Sequence, residues 1–246
     1  MARNETLESI LTDFRLDAKL ASSSALNAQN EERQIHLIQR EQKRLWEETD
    51  WAHLRVERFI PLQAGQRFYD LSSALNEAGA AKNDLSIDRI EKMDVKDGGE
   101  WCPLYNGIGA AEYVAHDSAL DERASPACAW RIYEGEQLEI WPVPEVDATA
   151  EQEGYLRVTG IRDLRPFVEM SDRADLDGQL ISAYAAGQYL AAKKAADTEM
   201  VLAKAQKLYA RLTANLKKRK SFQLFGVGGS RRAQRRPMIT RYKAPD

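Results

Sequence analysis

Apolar residues follow a helical period near the start of the chain. Leu7, Ile10, Leu11 and Phe14 stand at i, i+3, i+4 and i+7, so they share one face of a helix. A second helix is predicted over residues 27–48, where apolar residues again recur every three or four positions between charged ones.

The helical period returns in the last third of the chain, over residues 177–219. This stretch is rich in alanine, whose small side chain lets helices pack closely. Asp172 or Asp175 is expected to cap its start, and a break is predicted near Asp197-Thr198, where Asp197 can cap a second segment.

Between these regions the apolar period shortens to two, which is typical of strands. Glycine reaches positive φ without strain, so Asp97-Gly98-Gly99 and Glu134-Gly135-Glu136 each predict a hairpin turn. A third hairpin is predicted between residues 54–60 and 68–71, and a short helix over 110–120. The predicted strands are 54–60, 68–71, 85–95, 101–105, 129–133, 137–141 and 155–161.

Segregated strands and helices indicate the α+β class. The pattern predicts a helical bundle core with an inserted antiparallel β-hairpin domain and an extended C-terminal arm. The predicted parts are N-terminal helices of the core (1–50), a β-rich inserted domain (51–165), C-terminal helices of the core (166–220) and a flexible basic arm (221–246).

Charge is distributed unevenly along the 246 residues, although the net charge is only −3. Residues 217–246 hold ten Lys or Arg and one Asp, a net charge of +9, so the remainder carries −12. Such a tail usually has a partner. Three interpretations stay open: salt-dependent contact with DNA phosphates, docking into an acidic groove of a partner protein, and a solvated tail.

Residues that could carry chemistry are scattered. The three histidines, at 36, 53 and 116, lie far apart in sequence, and neither a metal-ligand spacing nor a GxxxxGK[ST] or GxSxG motif occurs. Cys102 and Cys128 are expected to be inert buried thiols. No catalytic residue, cofactor or metal is therefore expected, and the protein is predicted not to be an enzyme.

Two further groups of residues have alternative interpretations. The acids around the Asp97-Gly98-Gly99 turn, Asp94 and Glu100 among them, could bind a cation or keep an exposed turn soluble. Trp101, Trp130 and Trp141 could stack on nucleic acid, although core packing is favoured because the basic residues lie elsewhere. Two cysteines fit a reducing compartment, and no leader or membrane span is expected.

Several segments follow one another in a distinctive order along the chain: Phe14-Arg15-Leu16-Asp17, Gln34-Ile35-His36-Leu37-Ile38-Gln39-Arg40, Gln42-Lys43-Arg44-Leu45-Trp46, Thr49-Asp50-Trp51-Ala52-His53-Leu54, Ile60-Pro61-Leu62-Gln63-Ala64-Gly65-Gln66-Arg67-Phe68-Tyr69-Asp70-Leu71 and Leu138-Glu139-Ile140-Trp141-Pro142. Alanine-rich helices and the basic arm close the chain. Over most of residues 5–220 this layout resembles the head-to-tail adaptor (connector) proteins of tailed bacteriophages.

The resemblance implies a structural virion protein at the head–tail junction, made in the host cytoplasm. Similar adaptors form a ring, usually twelve-fold, beneath the capsid portal, and they continue the DNA channel. The implied partners are the portal protein, a downstream tail protein (nozzle, tube or hub), further copies of the chain and passing genomic DNA without sequence specificity. No membrane is implied. The alternative is a nucleic-acid-binding module that uses the Arg-rich tail.

Two sets of residues are predicted to make these contacts. The arm that docks on the portal would use Phe222, Leu224, Phe225, Arg231, Arg232, Arg235, Arg236, Arg241 and Tyr242. Packing between subunits would use Leu180, Tyr184, Leu190, Val201, Leu208 and Leu212.

Overall fold

The structure, a computed structural model, describes residues 3–20, 30–117, 120–214 and 216. Five α-helices lie in these ranges: α1 (Leu7–Asp17), α2 (Glu31–Glu48), α3 (Ala110–Ala115), α4 (Gly178–Ala192) and α5 (Thr198–Thr213). The same ranges contain seven strands: β1 (Arg55–Pro61), β2 (Phe68–Tyr69), β3 (Leu85–Asp97), β4 (Glu100–Asn106), β5 (Ala129–Tyr133), β6 (Gln137–Trp141) and β7 (Tyr155–Arg162).

Helix α1 begins at a residue suited to cap it. The hydroxyl of Thr6 accepts a hydrogen bond from the Ser9 amide at 3.3 Å, which satisfies one of the amides that an α-helix leaves unpaired at its start. The four apolar residues predicted to share one face of α1 are each at most 2% exposed. The helical spacing in the sequence therefore predicted this buried face correctly.

Helix α4 is the centre of the helical layer, because α1, α2 and α5 all pack against it. Asp177 caps α4 by accepting a hydrogen bond from the Leu180 amide at 3.2 Å, so the prediction of Asp172 or Asp175 as the cap was wrong. The chain leaves helical structure after Ala192 and resumes it at Thr198, which confirms the break near Asp197.

The seven strands form one sheet in the order β1-β7-β3-β4-β5-β6-β2. Strand β7, last in sequence, lies between β1 and β3 and pairs antiparallel with both. Strands β4 and β5 pair in parallel, Tyr105 beside Ala129 and Asn106 beside Trp130. The sheet is therefore mixed, and the prediction of a purely antiparallel domain was wrong.

Two of the three predicted hairpins are confirmed. The turn at Gly98 and Gly99, whose φ angles are 60° and 83°, joins β3 to β4, and Glu134-Gly135-Glu136 joins β5 to β6. The third was wrong, because β1 pairs with β7 while the two-residue β2 pairs with β6. A nearby turn signal favours local pairing, but the longer antiparallel match with β7 occupies β1 instead.

The predicted helical bundle core was also wrong, although the α+β class agrees. The sheet has its own core, which includes Met93, Val95, Leu138 and Val158, separate from the one that the helices share. Helices at both ends of the sequence suggested that they enclose the main core. The strands instead bury enough apolar area for an independent core, because β6 and β7 are buried along most of their length. The four-part division of the chain stays a prediction.

Candidate assembly surfaces

The residues predicted to pack between subunits all belong to the helical layer of the chain itself. Leu180, Leu190 and Val201 are at most 7% exposed within its core. The other three, Tyr184, Leu208 and Leu212, are partly buried against that core. Those three keep surface that a neighbouring subunit could cover, and packing between subunits stays a prediction for the set.

A buried carboxylate joins the helical layer to the sheet. Asp175 lies just before α4, and its side chain is fully buried. It accepts hydrogen bonds from the guanidinium of Arg162 at 2.6 Å, and from both the amide and the guanidinium of Arg165, each at 2.8 Å. Burial alone would raise the pKa of Asp175, but the hydrogen bonds from Arg162 and Arg165 outweigh it and hold the pKa below its usual value.

A second contact strengthens this junction from the side of α2. Arg89, on β3, stacks its guanidinium 4.5 Å from the centre of the Trp46 ring and donates a hydrogen bond to Asp50 at 2.5 Å. The indole N–H of Trp46 donates to the carbonyl of Arg162 at 3.1 Å. We call the contacts made by Asp175, Arg162, Arg165, Arg89 and Trp46 the seam, because they fix the helical layer against the sheet.

A second buried carboxylate lies at the other end of the sheet. Glu139, on β6, is fully buried and accepts hydrogen bonds from Arg67 and Tyr113, each at 2.7 Å, and from Arg131 at 2.5 Å. Burial raises the pKa of Glu139, but its three donors, first Tyr113 and then the two arginines, together hold the pKa below its usual value. The Arg67 guanidinium also lies 5.0 Å from the centre of the Trp141 ring.

Apolar side chains are exposed near this end of the sheet. Tyr133 and Ile132, on β5, are 39% and 46% exposed, and the Tyr133 ring lies 4.9 Å from that of Phe68. Val114 on α3 is 85% exposed. Scattered exposed apolar residues are normal on soluble proteins, so these positions by themselves do not define an interface.

The side chains that could carry chemistry are separated or paired. The described residues contain no group of three or more His, Cys, Asp or Glu placed to hold a metal ion. Asp94, one of the acids near the β3–β4 turn, is buried and pairs with Arg157 at 2.8 Å. Cys102 and Cys128 are half-buried, and burial, followed by nearby carboxylates, raises the pKa of the Cys102 thiol.

The tryptophans predicted in hairpins have different environments. Trp130 and Trp141 are buried, as the core-packing interpretation expected, whereas Trp101 is half-buried beneath Arg157, whose guanidinium lies 4.5 Å from the ring centre.

Among the described residues, no helix is long and apolar enough to cross a membrane.

The sequence did not predict the ionic clusters around Asp175 and Glu139, because no motif links either carboxylate to its partners, which lie 8 to 72 residues away. Arg67 lies 72 residues from Glu139 and shares no motif with it. For Glu139 the sequence signal was an acid between the apolar residues Leu138 and Ile140 of a predicted strand, since a buried carboxylate requires a cationic partner.

The predicted portal-binding residues, from Phe222 to Tyr242, lie outside the described residues. Comparison with protein families finds that the model described as SU10 adaptor protein matches residues 6–241. Comparison with curated proteins finds no match.

Proposed function

Because the chain belongs to the SU10 adaptor protein family, which confirms the resemblance found in its sequence, we propose that it forms a ring joining the capsid portal to the tail. Family membership makes the protein a phage structural adaptor in the virion, at the head–tail junction, and implies a structural rather than a catalytic role. The proposal adds a closed ring that continues the DNA channel, with portal docking by residues 221–246.

The observation that carries the proposal is the family match over residues 6–241, which includes most of the basic arm. A closed ring needs two different surfaces on each subunit, because each copy contacts its neighbours head to tail. The exposed parts of Tyr184, Leu208 and Leu212 offer apolar area for one of them.

Charge separation is consistent with both parts of the proposal. An acidic body, −12 outside residues 217–246, repels phosphates and so allows DNA to pass without adhering. The segment 217–246, with a net charge of +9 and apolar anchors at Phe222 and Phe225, suits a partner with an acidic, partly apolar groove. Many arms on one ring would multiply a weak individual contact through effective concentration.

The test is co-expression of the adaptor with the portal of its own phage, followed by negative-stain microscopy of the purified complex. We expect rings of fixed copy number seated on the portal. The double substitution Phe222→Ala and Phe225→Ala should release the portal, whereas Met238→Ala, an apolar truncation elsewhere in the arm, should not. A monomer that does not bind the portal under any of these conditions would refute the proposal.

The alternative, a nucleic-acid-binding module, rests on the +9 charge of residues 217–246. It predicts duplex binding that weakens steeply with salt, because phosphate contacts release counterions, and that disappears when the arm is removed. A gel shift that persists in the chain without residues 221–246 would exclude this alternative, and so would the absence of any gel shift by the full chain at low salt.

A further inference from the structure

A groove of about 440 Å³ runs across the surface of the helical layer. The first half of α2 forms one wall, and the last turn of α4 forms the other. Its volume lies within the range of pockets that bind small ligands or single peptide segments. The groove lies at the C-terminal end of α4, whereas Asp175 of the seam lies just before its N-terminal end.

The rim of the groove is cationic. Arg33, Arg40 and Lys193 line it, together with His36, and all four side chains are exposed. None of the described residues that line the groove is acidic. Arg40 lies 3.8 Å from a carboxylate oxygen of the buried Glu41 and also donates a hydrogen bond to Gln188 across the groove. The groove is therefore a local positive site on a body whose overall charge is negative.

Its floor is partly apolar. Leu37 and Tyr189 are half-buried there, and Lys193 lies 5.2 Å from the centre of the Tyr189 ring. The amide side chains of Gln34 and Gln188 are also part of the lining. A ligand that complements these features carries carboxylates beside an apolar side chain.

We propose that this groove binds an acidic segment of a partner protein, with carboxylates against Arg33, Arg40 and Lys193 and an apolar side chain over Leu37 and Tyr189. Charge complementarity determines the class of occupant, because a groove lined by cationic side chains and, among the described residues, by no acidic one favours carboxylates. This site depends neither on ring formation nor on the arm of residues 221–246.

A duplex fits the groove less well than a peptide does. Duplex DNA carries one negative charge about every 1.7 Å, so its flanking phosphates would approach the surrounding acidic body and be repelled. A short peptide brings only a few charges, and all of them can face the rim. The apolar floor also offers nothing to a phosphate backbone, whereas it buries an apolar peptide side chain.

The test is a fluorescence anisotropy titration of the full chain with a labelled synthetic peptide that alternates glutamate with leucine. The double substitution Arg33→Glu and Lys193→Glu should weaken peptide binding about ten-fold or more, because it replaces two attractive contacts with repulsive ones. Lys207→Glu with Arg211→Glu is the matched control, since it makes the same charge change at exposed positions of α5 outside the groove.

A second variant tests the groove without changing any charge. Ala192 lines the groove and is exposed, so Ala192→Trp should fill it and weaken peptide binding while the thermal unfolding curve stays close to that of the parent. Binding that is lost in both groove variants and kept in the control supports the site.

Three results would overturn it. One is equal binding by the groove variants and the control, which would assign the peptide to the basic arm. The second is no peptide binding at all. The third is that the full chain binds a 12-base-pair duplex but not the peptide, and that the groove variants lose the duplex binding. This result would make the groove a nucleic-acid site.

Discussion

Replacing the buried carboxylate of the seam should destabilise the chain measurably. In Asp175→Asn the side chain keeps its shape but loses its charge, and Arg162 and Arg165 lose their ionic partner. Breaking a buried ion pair from one side typically costs about 3–5 kcal/mol. The two arginines are 21% and 54% exposed, so water partly solvates them once unpaired, and we expect a loss of about 2 kcal/mol.

Circular dichroism during heating measures this loss. For a chain of this size, about 2 kcal/mol corresponds to a decrease in Tm of about 4–8 °C. Asp88→Asn is the matched control, because it makes the same chemical change at an exposed acid on β3 and should leave Tm nearly unchanged. If Asp175→Asn lowered Tm no more than the control does, the assignment of Asp175 as the ionic centre of the seam would be refuted.

The pH dependence of the same pair of variants gives a separate check. The pKa of Asp175 is lowered by folding, so its charge stabilises the folded chain fully above the ordinary aspartate pKa of about 3.9. That contribution disappears as the pH falls through the folded-state pKa. The difference in Tm between parent and Asp175→Asn should therefore be constant from about pH 5 to 7 and shrink on acidification below about pH 4. A difference that grew on acidification would contradict the sign of the pKa shift.

Three other predictions follow from close contacts and buried charge. Gly187→Ala would place a Cβ atom 2.4 Å from a methyl carbon of Leu202, so the substitution should lower the free energy of unfolding in urea by about 1–3 kcal/mol despite the better helix propensity of alanine. Tyr113→Phe removes a hydrogen bond to Glu139 and should lower the free energy of unfolding by about 1 kcal/mol, again measured in urea. Burial, then Asp13 and Asp177, raise the pKa of Glu5, so its charge destabilises the folded chain at pH 7 and Glu5→Gln should raise Tm there. This gain should vanish on acidification to about pH 4, because the parent carboxyl is then largely protonated and as neutral as glutamine. An unchanged Tm at pH 7 would contradict the last prediction.

The sequence predicted elements whose formation depends on neighbours along the chain. The face of α1 from Leu7 to Phe14 followed from the 3.6-residue period, and the β5–β6 hairpin followed from Gly135, whose φ is 72°. In both cases the residues that determine the element lie within a few positions of one another, so the local sequence pattern is enough to predict it.

Pairings between distant segments could not be read in the same way. The partner of β1 is β7, about a hundred residues later, and any strand with an apolar face satisfies the same alternating pattern. The prediction of Asp172 or Asp175 as the helix cap failed because both carboxylates have other partners. Arg162 and Arg165 engage Asp175, and the amides of Val168 and Glu169 donate to Asp172, which leaves the cap to Asp177. The folded chain determines whether a carboxylate such as that of Asp175 binds the amides of the next helix or an arginine elsewhere.

The ionic hydrogen bonds of Asp175 constrain the geometry of the chain as well as its stability. Ionic hydrogen bonds are directional, whereas apolar contacts tolerate small rotations, so Asp175 holds the angle between the helical layer and the sheet more narrowly than packing alone would. In the proposed ring, every subunit must present its two contact surfaces at one fixed angle, because a small error repeated at each interface prevents closure. An adaptor built from two separate cores therefore needs a rigid junction between them, and Arg162 and Arg165 supply it by binding one carboxylate from the sheet end and from the connecting loop.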